Sequence, residues 1–277
     1  DERGARQTAY QILVATDPDK LAPGVADVWD SGKVANDDSV HVVWAGPPVG
    51  SARRYHWTVR CWNGADRATE FAAPTWFETG LLAAGDWQAT WIGDGTTPPT
   101  RTEDFYADRP APLLRKTFTL HGTPQRARLY VCGLGCHEAR IDGQLVGDTR
   151  LDPGWTRYDA VVPYVVHDVT GLLHDGENVL GVMLGSGWYD PLPLRLWGRI
   201  DLRKVLPIGQ PKLICQLDVV QADGSPLRIV SDRSWRTAPG PTLRDNVYLG
   251  ERHDARAERD GWDRPGFDDR AWFRAQI

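Results

Sequence analysis

Apolar and polar positions alternate along most of this chain. The helical spacing of three to four residues is not sustained over any long segment. The run RYHWTVRCWN (54–63) is the clearest case. Tyr55, Trp57, Val59 and Cys61 fall on one face, and His56, Thr58, Arg60 and Trp62 on the other. Period two predicts a half-buried strand. TAYQILVAT (8–16) is β-branched and aromatic and predicts another. VWDSGKV (28–34) predicts a short strand broken at Ser-Gly, SVHVVWAG (39–46) a further strand, and TWFETG (75–80) closes the series. Short strands about ten residues apart, with turn residues between them, predict a small β-sandwich over residues 1–80.

Residues 81–112 change character. Gly, Pro, Thr and Asp cluster there, the composition of a connector, with Trp87 and Trp91 positioned to pin it to a domain face. Alternation then resumes for the whole of 113–277. LLRKTFTL (113–120) and RARLYVCG (126–133) predict strands. HEARIDGQLVGD (137–148) predicts a hairpin turning at Asp142-Gly143. VVPYVVHDVT (161–170) is apolar, and TGLLHDGEN (170–178) has room for one short helical turn. NVLGVMLGSGWYD (178–190) predicts a buried strand running to an aromatic tip. PKLICQLDVVQADGSPLRIVSD (211–232) predicts two strands around Asp223-Gly224. The expectation is an all-β chain, a small sandwich followed by a larger one.

Composition narrows the function classes. The chain has 277 residues and 41% apolar content, enough for packed cores. A net charge of −5, with both signs mixed throughout, argues against a nucleic-acid face and offers no membrane patch. No apolar run approaches the roughly 18 residues that span a bilayer. Cys61, Cys132, Cys136 and Cys215 form no CxxC pair and read as buried thiols. Nothing demands an oxidising compartment, which tilts the expected location towards the cytoplasm. The chain starts at Asp1 and stops in the apolar run AWFRAQI, so it reads as cut at both ends.

Catalytic and cofactor signatures are weak. His137-Glu138 lacks the second His of a zinc helix. DGWDRPGFDDR (260–270) does not fit a calcium loop, so its Asp residues read as turn formers and no metal is expected. GLGCHE (133–138) is not followed by a helical pattern, so it is no dinucleotide loop and no cofactor is expected. Glycoside hydrolysis needs two flanking carboxyl groups. Asp152, Asp159, Asp190, Glu251 and Asp254 are available, but no spacing singles out a pair.

The aromatic residues are more informative. Among 13 tryptophans, two clusters stand on predicted loops, LDPGWTRYD (151–159) and LGSGWYD (184–190). Trp155, Tyr158, Trp188, Tyr189 and Trp197, with Asp190 beside them, suit two roles. They can form a platform on which sugar rings stack while Asp and Arg bond the hydroxyls. They can equally seal a sandwich edge or a domain interface, burying the ring and wetting its tip.

Taken in order, these stretches resemble a known family. The DGQLVGD hairpin, LDPGWTRYD, DVT, GEN and LGSGWY are followed by SDRSWRTAPGP, DNVYLGERHDARAE and GWDRPGFDD. That succession is similar to the N-terminal β-sandwich of bacterial α-L-rhamnosidases, glycoside hydrolase family 78. Upstream, ARQTAYQILVATD, YHWTVRCWN and DWQATWIG resemble the family's leading fibronectin type III-like domain and the connector after it, without the strand that usually precedes TAYQILV. The resemblance implies a fibronectin type III-like sandwich and a larger jelly-roll-like sandwich. It implies that the inverting Glu pair lies on a downstream (α/α)6 barrel, so no family catalytic residue is carried onto this chain. The implied partners are a rhamnose-containing glycoside and the downstream catalytic domain. Glu251, Asp254 and Arg256, in the family-like run GERHDAR, are then candidate interface residues, with Arg256 able to grip a carboxylate in two-pronged fashion or to pin a strand internally. A stand-alone carbohydrate-binding module and a ligand-free spacer are the rival readings.

Overall fold

The computed structural model describes residues 4–21 and 25–277. The chain divides into two compact units, Asp1–Trp87 and Gln88–Ile277. The first is built on β1 (Gln7–Ala15), β2 (Trp29–Asp30), β3 (Arg54–Asn63) and β4 (Thr75–Glu78). They form one antiparallel sheet in the order β2-β1-β3-β4. β3 coincides residue for residue with the run whose alternation is cleanest. Both its faces are covered, however: Tyr55 on one side, Thr58 and Trp62 on the other, are all buried. The polar face is closed by cations over rings, with the Arg60 guanidinium 4.9 Å from the centre of Trp62 and 4.7 Å from that of Phe71.

The strand expected at residues 39–46 does not form. His41 takes a left-handed φ of 57°, which breaks an extended run. Val40 and Val43 stand 67% and 83% exposed. Alternation alone makes no strand unless a neighbouring ladder takes up the backbone hydrogen bonds. What this segment contributes is Trp44, whose ring lies 4.8 Å from Trp29 and 6.5 Å from Phe77, touching both edges of the sheet.

The second unit opens with β5 (Pro112–Leu120), β6 (Arg126–Leu134), β7 (Cys136–Ile141), β8 (Gln144–Leu145) and β9 (Val165–Asp168). It continues with β10 (Gly176–Gly185), β11 (Arg195–Leu196), β12 (Ile200–Asp201) and the one-turn helix α1 (Leu202–Val205). β13 (Lys212–Val220), β14 (Pro226–Val230), β15 (Arg236–Pro239), β16 (Thr242–Asn246), β17 (Gly250–His253) and β18 (Phe273–Arg274) complete it. A six-stranded sheet, β18-β15-β5-β10-β7-β8, faces a four-stranded one, β14-β13-β6-β9, with hairpins β11-β12 and β16-β17 added. The sandwich core takes alternate residues from both sheets: Leu180, Val182 and Leu184 of β10 meet Leu129 and Val131 of β6 and Leu213, Cys215 and Leu217 of β13. Trp235 is fully enclosed there and donates its Nε1–H to the Val230 carbonyl at 2.8 Å.

The β7–β8 hairpin turns where expected. Asp142 and Gly143 both have positive φ, 50° and 83°, the pattern of a two-residue hairpin turn. Residues 88–112, connector-like in composition, are stitched to the second unit. Ile92 bridges to Leu213, and Thr90 donates its backbone N–H to the Ser231 carbonyl. A single short helical turn, Thr170–Leu172, follows β9.

Candidate functional site

The aromatic tip follows the end of β10, where Gly135 lets the chain fold close. A Cβ there would sit 2.1 Å from the Gly185 carbonyl oxygen, and its φ is 100°. The turn beyond, Ser186 to Asp190, is closed by the Tyr189 and Asp190 N–H groups donating to the Ser186 carbonyl. Asp245 of β16 anchors it, accepting from the Ser186 N–H at 2.8 Å and the Ser186 hydroxyl at 3.1 Å. Burial raises the pKa of the Asp245 carboxyl above the ordinary carboxylate value.

The two loop clusters do meet, but they divide into an outer and an inner group. Trp188 packs 5.6 Å from Trp155 and 5.4 Å, edge-on, from Tyr248. Trp155 is 52% exposed and Tyr248 is exposed as well, so this stack faces solvent. Tyr158 and Tyr189 pack edge-to-face at 5.4 Å, and Tyr158 is buried. Its hydroxyl has no hydrogen-bond partner among the described residues, and desolvation pushes its pKa up to about 12. Tyr189 is half-buried. Trp197 stands at the tip of the β11–β12 hairpin, 83% exposed.

Asp190 is buried rather than presented to solvent. Arg203 Nη1 donates to it at 2.7 Å, Arg109 Nη1 at 3.1 Å and Gln210 Nε2 at 3.4 Å. The Arg203 guanidinium is itself backed by the Phe105 ring at 4.1 Å. Asp159 pairs locally with Arg157, and Asp152 accepts from the Thr149 hydroxyl. Glu251 is exposed, lies opposite Asp245 in the β16–β17 ladder and lines a polar cleft of about 730 Å³ with His253 and Glu258. Arg256 grips Asp254 through two hydrogen bonds of 2.8 and 2.7 Å, which hold that carboxyl down at about 2. Both prongs are spent within the same short turn.

Burial pushes the thiols of Cys132 and Cys136 up to about 12 and that of Cys215 higher still, so they stay protonated and unreactive. Among the described residues, no group of three His, Cys, Asp or Glu is placed to hold a metal ion.

A second cleft, of about 570 Å³, opens beside the tip. Arg109, Asp190, Gln210, Thr237 and Asp245 line it together with prolines 110, 112 and 211. Sequence reading singled out only Asp190 of these. It also missed Tyr248, which sits between Val247 and Leu249 at the β16–β17 turn with no local signal of the Trp188 ring.

A family model for the α-L-rhamnosidase N-terminal domain matches residues 122–277. One for the Rha78A-like N-terminal immunoglobulin domain matches residues 1–83. An α-L-rhamnosidase of Formosa agariphila is 37% identical over 98% of this chain and 29% of its own length. The solved α-L-rhamnosidase of Dictyoglumus thermophilum superposes with a TM-score of 0.85 at 36% identity, over 100% of this chain and 30% of that one. That of Streptomyces avermitilis, complexed with L-rhamnose, gives 0.84 at 27% identity, over 99% of this chain and 41% of that one. The chain thus spans about 30% of the length of the Formosa and Dictyoglumus relatives. With its larger sandwich matched from residue 122 to residue 277, the chain belongs to the α-L-rhamnosidase N-terminal domain family.

Proposed function

We propose that this chain is the non-catalytic N-terminal region of an α-L-rhamnosidase. In this reading, terminal α-L-rhamnose is removed from a glycoside, with inversion, by an (α/α)6 barrel elsewhere in the same polypeptide. The observation that carries it is the likeness of the whole chain, at a TM-score of 0.85, to an α-L-rhamnosidase of which it covers 30%. Among the candidate carboxylates, Asp190, Asp159 and Asp254 are each paired with arginine, which supports it. The larger unit then acts as a jelly-roll-like accessory domain in a multidomain enzyme. The test compares the purified chain with the longer protein on an aryl α-L-rhamnoside. The longer protein is expected to release the aryl alcohol and the chain alone none. Release by the chain, abolished by an Asp or Glu substitution within it, would overturn the proposal.

A second reading draws on the solvent-facing stack of Trp155, Trp188 and Tyr248. It is an open aromatic surface of the kind on which sugar rings rest, and it supports carbohydrate binding by this unit itself. Tryptophan fluorescence titrated with L-rhamnose, with L-fucose as control, tests it. Saturable quenching lost in Trp188→Ala would support the platform, and an unchanged titration in that variant would end it.

A further inference from the structure

The cleft beside the tip is separate in character from the aromatic stack. Its walls are apolar, with Pro99, Pro110, Pro112, Pro211 and Leu184, and its polar groups converge from distant parts of the chain. We propose that it is a binding site for an uncharged glycosyl unit, whose hydroxyls bond Arg109, Gln210, Asp245 and Thr237 while its C–H faces rest on the prolines. The ligand class rests on the rhamnosidase reading; the site itself rests on the geometry.

Four observations carry it. The volume, about 570 Å³, lies within the range of small-molecule sites and accommodates one or two sugar rings. The polar groups are held in advance. Arg109 donates to Asp190 and, at 2.6 Å, to Gln210 Oε1, while Asp190 is fixed from behind by Arg203 on Phe105. Side chains locked in this way lose little freedom when a ligand arrives. Thr237 is only 1% exposed, and its hydroxyl has no hydrogen-bond partner among the described residues. A buried hydroxyl left unbonded costs free energy that a ligand oxygen would recover. Last, Asp94 and Asp104 add negative charge to the lining while Arg109 is already paired with Asp190, so an anionic ligand is disfavoured. The innermost carboxyls attract no free cation either. Asp190 is neutralised by two guanidinium groups, and Asp245 is bonded to Ser186 in surroundings that favour its protonated form. What remains is a lining of dipoles suited to hydroxyl groups.

The test is calorimetric titration of the full chain with methyl α-L-rhamnopyranoside, alongside D-glucuronate as an anionic probe. Binding of the rhamnoside but not of glucuronate is expected. Thr237→Val keeps the side-chain shape and removes the unbonded hydroxyl, so it should leave the melting temperature unchanged or raised while weakening binding about tenfold. Gln210→Ala should weaken it by a similar factor, and Trp188→Ala should leave it unchanged. Affinity untouched by both Thr237→Val and Gln210→Ala, affinity lost instead in Trp188→Ala, or no binding of the rhamnoside at all would each overturn the site. Hydrolysis by the longer protein is read separately. Activity without cleft binding would sink this inference and leave the proposed function standing.

Discussion

In the second unit, Leu129, Leu180 and Leu217 are fully enclosed in a continuous aliphatic core fed by both sheets, whereas among the described residues the core cluster of the first unit consists of buried Leu13, Ala15 and Leu21 with half-buried Ala26 and Phe71 against them. The first unit closes its remaining surface with rings and cations. Lys33 lies over Trp62, Arg54 over Trp76, and Arg60 over both Trp62 and Phe71. The difference follows from sheet number. Two facing sheets let alternate residues interdigitate and exclude water. Among the described residues the strands of the first unit form one narrow sheet, and aromatic faces, long side chains and the Trp44 segment cover it. Stability in one unit should therefore depend on methylene packing, and in the other on many smaller contacts.

The largest effect is expected from Leu129→Ala, which should cost about 2–5 kcal/mol in chemical denaturation because neither sheet can collapse into the void. A cost below about 1 kcal/mol would break the contrast between the units.

Next comes a pH effect confined to the second unit. His137 is buried, and its Nδ1 accepts from the Gly133 N–H at 3.2 Å, which requires a neutral ring. Desolvation lowers its pKa from 6.5 to about 4, with Asp152 opposing and His167 assisting. The unfolded chain therefore binds more protons between those values. Stability should be full above about pH 6.5 and fall as pH drops towards 4, by about 3 kcal/mol. His137→Gln should flatten most of this profile. His167, shifted downwards as well, would keep a smaller slope in the same direction. A profile unchanged by the substitution would refute the assignment.

A smaller effect is expected in the first unit. Arg60→Ala removes cation–π contacts to two rings and a 2.9 Å hydrogen bond to Gln11, and should cost about 1 kcal/mol. A loss as large as that of Leu129→Ala would mean that the first unit is not held by dispersed contacts. Least of all should change in Arg256→Ala. That guanidinium is solvent-exposed and, among the described residues, bonded to Asp254 two positions away, so the melting temperature of the chain should not move measurably.

Much of the framework was legible without coordinates. β3 follows from clean alternation, the β7–β8 turn from Asp142-Gly143, and the burial of β10 from its apolar run. The segment around Val40 and Val43 misled, because alternation reports which faces residues take and not whether a partner strand exists. At the candidate site, Trp155 and Trp188 were legible as aromatics near turns. Tyr158 carries the same local signal yet is buried, edge-on to Tyr189.

By itself, the sequence determined the all-β character, the strands whose pattern has period two, the hairpin turn and the ordered motifs of the family. Those are short-range properties, written within one strand or turn. Only the tertiary structure decided that Tyr248 joins the outer stack, that Asp190 is clamped by Arg109 from 81 positions away, and that Thr237, Gln210 and Asp245 line one cleft. Such meetings depend on strand order and on how two sheets stack. A sequence can specify those only through the summed packing of the whole core.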